Sequence, residues 1–254
     1  MADPCELSVV IPLVDEAPNL RPLHSELVPV LESLGTAWEI VYVDDGSGDE
    51  SLDILAALAR EDARVRVVPL DRNYGQSTAL IAGAEAARGR WMATLDGDGQ
   101  NDPADLPTLW RGIANGEADA VIGVRVRRAD SWVRRASSRI ANSVRNRLSG
   151  DHVTDVGCSI RIIPRAALLG AVRFEGMHRF LPTLLRMNGC TVIERPVGHR
   201  PRRAGLSKYG IGNRLWRGLA DLLVVRRLRQ RRIGYSLRQP RLGHAPRPGE
   251  EIAP

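Results

Sequence analysis

Short apolar runs alternate with helical patterns through the first half of the chain. Four of these runs predict buried strands, over residues 7–11, 38–43, 65–69 and 91–95. Leucines at helical spacing predict amphipathic helices between them, over residues 20–34 and 52–58. Two later apolar runs, 120–124 and 160–163, predict further strands. Alternation of this kind favours right-handed crossovers, so we expect a Rossmann-like α/β fold, a mostly parallel sheet with helices on both faces.

Each of the first four predicted strands is followed by polar residues that suit ligand binding. They are Asp15 and Glu16, then Asp44 and Asp45, then Asn73, Gly75 and Gln76, and last Asp96 and Asp98. The carboxyl ends of parallel strands meet at one edge of a sheet, and ligands bind in the crevice outside that edge. The sequence therefore predicts one cleft that collects all four groups.

The segment that ends in Asp96, Gly97 and Asp98 gives the most specific signal. Residues i and i+2 of an extended chain point to the same side, so we expect both carboxylates to face one point beyond the strand. Two hard oxygen ligands suit Mg²⁺ or Mn²⁺ bridging to a diphosphate. A solvated Asp-Gly turn is the alternative.

Length and composition allow one well-packed domain. The chain has 254 residues, of which 43% are hydrophobic. Its apolar run near the C-terminus, residues 222–225, is far shorter than the roughly 20 residues of a membrane-spanning helix, and we expect no signal peptide. The three cysteines, at positions 5, 158 and 190, form no Cys-x-x-Cys pattern, so we expect reduced cytosolic thiols and neither a disulfide framework nor a zinc site.

Basic residues are concentrated near the C-terminus. Residues 1–199 hold 22 Arg against 27 acids, whereas residues 200–254 hold 14 Lys or Arg against three acids. Such a block attracts anionic lipid headgroups, nucleic acid or an acidic partner. Residues 237–254 are rich in proline and poor in apolar residues, so we expect a disordered tail there.

Two segments combine arginines with an apolar stripe. Apolar residues recur every four positions from Trp132 to Leu148, and residues 214–232 carry seven arginines among leucines and Trp216. A basic amphipathic helix with a tryptophan suits the interface of a bilayer, and packing on the protein core is the alternative. We therefore expect a domain at residues 1–210 followed by a basic amphipathic helix at residues 211–236.

Six motifs follow one another between Leu7 and Tyr209. They are Val-Ile-Pro at 10–12, Val-Asp-Asp-Gly-Ser at 43–47, Arg-Asn-Tyr-Gly-Gln at 72–76, Leu-Asp-Gly-Asp-Gly-Gln-Asn-Asp-Pro at 95–103, Asp-Val-Gly-Cys-Ser at 155–159 and Arg-Ala-Gly-Leu-Ser-Lys-Tyr at 203–209. In this order they resemble the motifs of the family-2 glycosyltransferases with a GT-A fold. Within that family the chain looks most like the polyprenyl-phosphate glycosyltransferases, relatives of dolichyl-phosphate mannosyltransferase.

The resemblance implies a nucleotide-sugar site at the first three strand ends. The residues that it assigns to the nucleoside are Pro12, Asp15, Glu16 and Asp45, and those near the diphosphate are Asn73, Gly75 and Gln76. The helix that we expect to begin near Ser77 favours a diphosphate at its amino end. The structural alternatives are that Asp15 is only a helix N-cap and that residues 73–76 form an ordinary capped turn. We expect Asp44 to cap the turn that follows it.

The resemblance also implies a metal site and a catalytic carboxylate. Asp96 would bind the ribose and the metal, with Asp98 and Gln100 as further ligands of Mg²⁺ or Mn²⁺. We interpret residues 101–103 as the start of a helix that Asp102 caps. Asp155 stands at the position of the catalytic carboxylate, where we expect it first to orient the sugar or the acceptor and second to act as a base.

Basic residues complete the expected catalytic set. Arg125 follows a strand and suits a pyrophosphate or the acceptor phosphate, so we group it with Asp155 and Asp98 as catalytic; a solvated basic loop is the alternative. The other residues that we assign to the acceptor phosphate are His178, Arg203, Ser207 and Lys208, the last three in a mobile lid.

We therefore expect metal-dependent, inverting transfer of a sugar from a nucleotide diphosphate donor to polyprenyl phosphate, such as undecaprenyl or dolichyl phosphate. A UDP-sugar is favoured over GDP-mannose. The expected location is the cytoplasm, with peripheral attachment to the inner face of the cell membrane. The alternatives are a saccharide or protein acceptor and, in another class, a basic nucleic-acid-binding protein. The basic end lacks interleaved aromatic residues, so we expect no nucleic acid partner; the sequence leaves the oligomeric state unknown.

Overall fold

Seven strands and the helices between them make up most of the chain that the computed structural model describes, residues 5–125, 154–155, 157–202, 221–228 and 230. The strands are β1 (Leu7–Leu13), β2 (Trp38–Asp44), β3 (Val65–Pro69), β4 (Trp91–Thr94), β5 (Ala120–Arg125), β6 (Arg161–Pro164) and β7 (Val192–Val197). The helices are α1 (Ala17–Glu32), α2 (Ser51–Glu61), α3 (Gln76–Ala86), α4 (Leu106–Ala114), α5 (Arg165–Leu169) and α6 (Leu181–Met187). Short 3₁₀ turns lie at Pro103–Asp105 and Met177–Arg179, and residues 221–228 are helical.

The strands form one sheet in the order β3-β2-β1-β4-β6-β5-β7. All neighbouring strands are parallel except that β6 runs antiparallel to both β4 and β5. The prediction of a mostly parallel sheet is confirmed, and all six predicted strands are present. The sequence analysis missed β7, since its segment Val-Ile-Glu-Arg-Pro-Val contains two charges and a proline, which is tolerated here because β7 lies at the edge of the sheet.

Helices cover both faces of the sheet, as the sequence predicts. Val9 of β1 belongs to a core cluster with α1, α2 and α4, whereas Val10 belongs to a second cluster with α3, α5 and α6. Because successive residues of a strand point to opposite faces, the two clusters lie on opposite sides of the sheet. Leu222 and Val225 are buried in the second cluster, so the helical segment 221–228 packs against the domain.

Several expectations concern residues outside the described part of the chain. These are the amphipathic segment 132–148, most of the expected helix at 211–236, the expected tail at 237–254, and the lid residues Arg203, Ser207 and Lys208. Within the described part, no helix combines the length and the apolar character that crossing a bilayer requires. The three cysteines are free thiols, as expected.

Candidate active site

The loop after β1 contacts the loop after β2 through Asp15. This residue has a positive φ of 47°, and its carboxylate accepts a hydrogen bond from the Gly48 N–H at 2.7 Å. Its own N–H donates to Ser47 Oγ at 2.9 Å. The N-cap of α1 is Glu16, whose carboxylate accepts a hydrogen bond from Asn19 Nδ2 at 2.6 Å. The interpretation of Asp15 as the N-cap is therefore wrong, because this carboxylate stabilises the neighbouring loop.

Asp45 joins the loop after β2 to the amino end of α3. Its buried carboxylate accepts hydrogen bonds from the backbone N–H groups of Tyr74 and Gly75, both at 2.8 Å. Gly75 is the N-cap of α3 with a φ of 91°, and no atom of the described residues lies within 4 Å of the position that a Cβ would take. Asp44 accepts hydrogen bonds from the N–H and hydroxyl of Ser47, which confirms the expected cap. Asp45 thus holds the loop at the amino end of α3, where the described residues leave space beside Gly75.

Asp96 lies in a network of polar side chains at the end of β4. Its Oδ1 accepts a hydrogen bond from Gln76 Nε2 at 3.0 Å. Its N–H donates to Asn101 Oδ1 at 2.9 Å, and Ser159 Oγ donates to the same oxygen at 2.9 Å. Burial raises the pKa of Asp96, and the charge of Asp98 raises it further. Asp96 therefore contacts Gln76 and lies close enough to Asp98 for the two charges to interact, as expected.

The loop that carries Asp98 is not extended. β4 ends at Thr94, and Gly99 has a φ of 71°. One oxygen of Asp98 accepts a hydrogen bond from the Gln100 N–H at 3.1 Å, and the other lies 3.5 Å from Arg202 Nη2. The argument that i and i+2 side chains share a side applies to extended strands, so it does not describe this loop, in which Asp96 and Asp98 contact different partners.

The chain after β7 crosses the strand ends and brings two arginines that the sequence analysis missed. The Arg200 guanidinium lies 2.7 Å from Asp102 and 2.6 Å from Glu26. Arg202 Nη2 lies 2.6 Å from Glu16 Oε1. Asp102 also caps the following 3₁₀ turn, as expected. The sequence signal was a run of basic residues just before the expected lid, but nothing local distinguished these two arginines from the next one.

Arg125 and Asp155 form a buried ion pair. Arg125 Nε and Nη2 donate to the two carboxylate oxygens of Asp155 at 2.6 and 2.8 Å, and the Gly157 N–H donates to one of them at 3.1 Å. The two side chains expose only 14% and 8% of their surface. This geometry excludes a solvated basic loop at Arg125. Both carboxylate oxygens of Asp155 accept hydrogen bonds from Arg125, as the oxygens of a positioning group would.

His178 lies against the first turn of α3. Its Nδ1 is 2.8 Å from Ser77 Oγ, which also accepts a hydrogen bond from the Gly176 N–H at 3.1 Å. The buried Arg161 donates to the His178 carbonyl at 3.1 Å, and burial lowers the pKa of Arg161. Sequence analysis missed Arg161 because it lies in the apolar run that predicted β6. His178 is therefore close to the expected diphosphate site.

The oxygen donors suit a hard divalent cation without forming a closed cage. In the described ranges, no group of three or more His, Cys, Asp or Glu side chains could hold a metal by themselves. Asp98 already attracts a cationic group, the Arg202 guanidinium, and the loop supplies further oxygens from Asp96 and Gln100. An incomplete set of this kind fits Mg²⁺, which keeps several positions for water and substrate phosphates.

Sequence comparisons place the chain among known proteins. The family model described as Glycosyl transferase family 2 matches residues 8–169. The chain is 39% identical over 225 residues to a dodecaprenyl-phosphate galacturonate synthase of Rhizobium johnstonii. This aligned region covers 87% of this chain and 66% of the relative. It is 38% identical over 206 residues to an undecaprenyl-phosphate 4-deoxy-4-formamido-L-arabinose transferase of Edwardsiella ictaluri, with coverages of 81% and 63%. The chain thus spans less than two thirds of the length of these relatives.

Solved structures share the fold. A glucosyl-3-phosphoglycerate synthase from Mycobacterium tuberculosis, in complex with Mn²⁺, uridine diphosphate and phosphoglyceric acid, matches with a TM-score of 0.66 and 20% identity over 87% of this chain and 78% of that one. A complex of that synthase with Mg²⁺ and uridine diphosphate gives a TM-score of 0.65 at 18% identity, covering 87% and 79%. These likenesses confirm the expected GT-A fold.

Proposed function

The chain belongs to glycosyl transferase family 2, and from this membership we propose that it transfers a sugar from a nucleotide diphosphate donor to polyprenyl phosphate. The observation that carries the proposal is the convergence at one sheet edge of the Asp96–Asp98 loop, the amino end of α3 and the Arg125–Asp155 pair. The two relatives whose names specify dodecaprenyl and undecaprenyl phosphate support this class of acceptor.

The donor diphosphate would lie against the amino end of α3. Gly75 leaves space there, and the helix dipole together with the unpaired N–H groups of a first helical turn favours anions. Gln76 and Asp96, which contact each other, would face the sugar diphosphate and the ribose, and Asp45 would keep the loop in place for the nucleoside. The Mycobacterium tuberculosis synthase binds uridine diphosphate, which supports a UDP-sugar before GDP-mannose.

The residues that would hold Mg²⁺ or Mn²⁺ are Asp98, Asp96 and Gln100. When bound, the metal would supply positive charge beside the diphosphate. Crystal structures of the Mycobacterium tuberculosis synthase with Mn²⁺ or Mg²⁺ support a divalent cation in this fold.

The transfer requires orientation more than a general base. A phosphate monoester has a second pKa near ~6, so it is largely dianionic at neutral pH. Its oxygen would attack the anomeric carbon, and a new carbon–oxygen bond forms as the bond to the nucleoside diphosphate breaks. A single displacement of this kind inverts the anomeric configuration. Asp155, with both oxygens bound by Arg125, would orient that guanidinium toward an anionic group.

The acceptor phosphate would meet Arg125 and, at the edge of α3, His178. Arg203, Ser207 and Lys208, which lie outside the described residues, would add hydroxyl and cationic groups from a lid. A guanidinium held in one orientation binds a phosphate through two parallel hydrogen bonds, which favours it over a flexible cation.

The helical segment 221–228 supports a peripheral contact with the membrane. Leu223 and Val224 expose 58% and 43% of their surface, and Arg226 and Arg227 line the same shallow depression. Each basic residue near an anionic surface contributes about 1 kcal/mol. We place the protein in the cytoplasm at the inner face of the membrane, where anionic lipid and polyprenyl phosphate would be accessible together.

The test is an incubation of the full chain with Mn²⁺, polyprenyl phosphate and a panel of nucleotide sugars, followed by detection of nucleoside diphosphate and glycolipid. We expect release from one donor that requires both lipid and cation, and a loss of about 10²–10³-fold in Asp98→Asn. Transfer to a saccharide or protein without any response to polyprenyl phosphate would contradict the acceptor. Tighter binding to oligonucleotides than to anionic vesicles at matched salt would favour the nucleic-acid alternative.

A further inference from the structure

We propose that Arg202 is the counter-cation of the metal site: in the metal-free protein it neutralises Asp98 and Glu16, and it gives up Asp98 when a divalent cation binds. The inference rests on the metal assignment of the proposed function. It adds to that assignment a residue that sets the affinity for the cation before any nucleotide is present.

One guanidinium nitrogen bridges two carboxylates. Arg202 Nη2 lies 2.6 Å from Glu16 Oε1 and 3.5 Å from Asp98 Oδ2. The three side chains expose 25%, 9% and 15% of their surface, so their charges are largely withdrawn from water and interact more strongly than surface charges do. Glu16 follows β1 and Asp98 follows β4, its neighbour in the sheet. Arg202 therefore links the two loops through charge at the place where a metal ion would add charge.

The backbone that carries Arg202 is fixed by other contacts. The Gly198 N–H donates to Asp105 Oδ2 at 2.8 Å, and the Arg200 N–H donates to the Gln100 carbonyl at 2.9 Å. The Arg200 guanidinium adds ion pairs to acids other than Asp98 and Glu16. Because these contacts hold the chain two residues before Arg202, its side chain can leave Asp98 without a rearrangement of the loop.

A divalent cation and the Arg202 guanidinium compete for Asp98. Two cations repel each other, so each lowers the affinity of the carboxylate for the other. Glu16, at the shorter distance, keeps the guanidinium nearby after Asp98 is released. The same contact explains why the carboxylate of Glu16, which we expected to bind the nucleoside, is instead directed at an arginine 186 positions later in the chain.

The test is the affinity for Mn²⁺ alone, measured by calorimetry on the full chain without nucleotide. We expect Arg202→Gln to bind Mn²⁺ about tenfold more tightly, a change in affinity that corresponds to the free energy of one partly buried ion pair. Arg200→Gln is the matched control, because it removes an equal charge two residues away that does not contact Asp98; we expect a change of less than about twofold. Arg202→Met, of similar length, replaces Arg202→Gln if that variant does not fold.

A change at Glu16 should alter the affinity for Mn²⁺ in the opposite direction. In Glu16→Gln the guanidinium loses its ion pair with Glu16 and keeps the one with Asp98, so Mn²⁺ should bind more weakly, and this effect should disappear in the double variant with Arg202→Gln. Equal affinity of wild type and Arg202→Gln, or the same loss from Glu16→Gln in both backgrounds, would overturn the role of Arg202. Asp98→Asn distinguishes a failure of the role of Arg202 from a failure of the metal assignment. If this variant binds Mn²⁺ like wild type, the metal assignment itself is wrong.

Discussion

Removal of one partner of the Arg125–Asp155 pair should destabilise the domain strongly. Arg125→Met deletes two charge-assisted hydrogen bonds, of 2.6 and 2.8 Å, and leaves a carboxylate with only 8% of its side chain exposed. Breaking a buried ion pair from one side costs about 3–5 kcal/mol. For a protein of this size each kcal/mol lowers Tm by about 2–4 °C, so we expect a decrease of roughly 6–20 °C.

A double-mutant cycle measured by calorimetry and urea unfolding checks this value. The double variant Arg125→Met/Asp155→Leu removes both charges. The decrease in its free energy of unfolding should therefore be smaller than the sum of the two single decreases, by at least about 2 kcal/mol. The matched control is Arg21→Met, because Arg21 also binds a carboxylate, that of Glu61, through two nitrogens, but at 53% and 55% exposure. We expect less than about 1 kcal/mol there. Additive single changes, or equal losses in Arg125→Met and Arg21→Met, would refute the reasoning.

Three further predictions follow from the site. Burial raises the pKa of Asp96, so its ionisation works against folding. Asp96→Asn should therefore raise stability at pH 7, with the gain lost as the pH falls to about 4, the usual pKa of an aspartate, in urea titrations. Asp45→Ala should weaken nucleotide binding in calorimetry, whereas Lys208→Ala should slow transfer to lipid and spare that binding; the reverse pattern would contradict the lid. Binding to anionic vesicles should fall in Leu223→Ser and at about 0.5 M NaCl, and equal binding to neutral vesicles would exclude the electrostatic explanation.

Most of the sheet could be predicted because six of its seven strands have a local signature. These six strands are short apolar runs, and the first four alternate with helices, from which their parallel pairing follows. The antiparallel direction of β6 could not be predicted, since a short apolar run reads the same in both directions. β7 was missed because a strand at the edge of a sheet needs no continuous apolar run.

The acids of the site could be predicted, but their partners could not. Sheet topology alone places Asp45, Asp96 and Asp98 at one edge. Which group each carboxylate binds depends on residues far away in the chain: Arg202 lies 186 positions after Glu16. A contact over that separation leaves no local pattern, so the sequence analysis assigned the cationic role to the motif that begins one residue later.

The position of β6 in the sheet has a consequence during synthesis of the protein. β4 ends at Thr94, yet its second neighbour, β6, is complete only at Pro164. At about 5–20 residues per second, the edge of β4 stays uncovered for roughly 4 to 14 seconds after it leaves the ribosome. An uncovered apolar strand edge is a template for pairing with other chains. We therefore expect the yield of folded protein to depend on translation speed and chaperone supply over this interval, even for variants whose finished fold is as stable as that of the wild type.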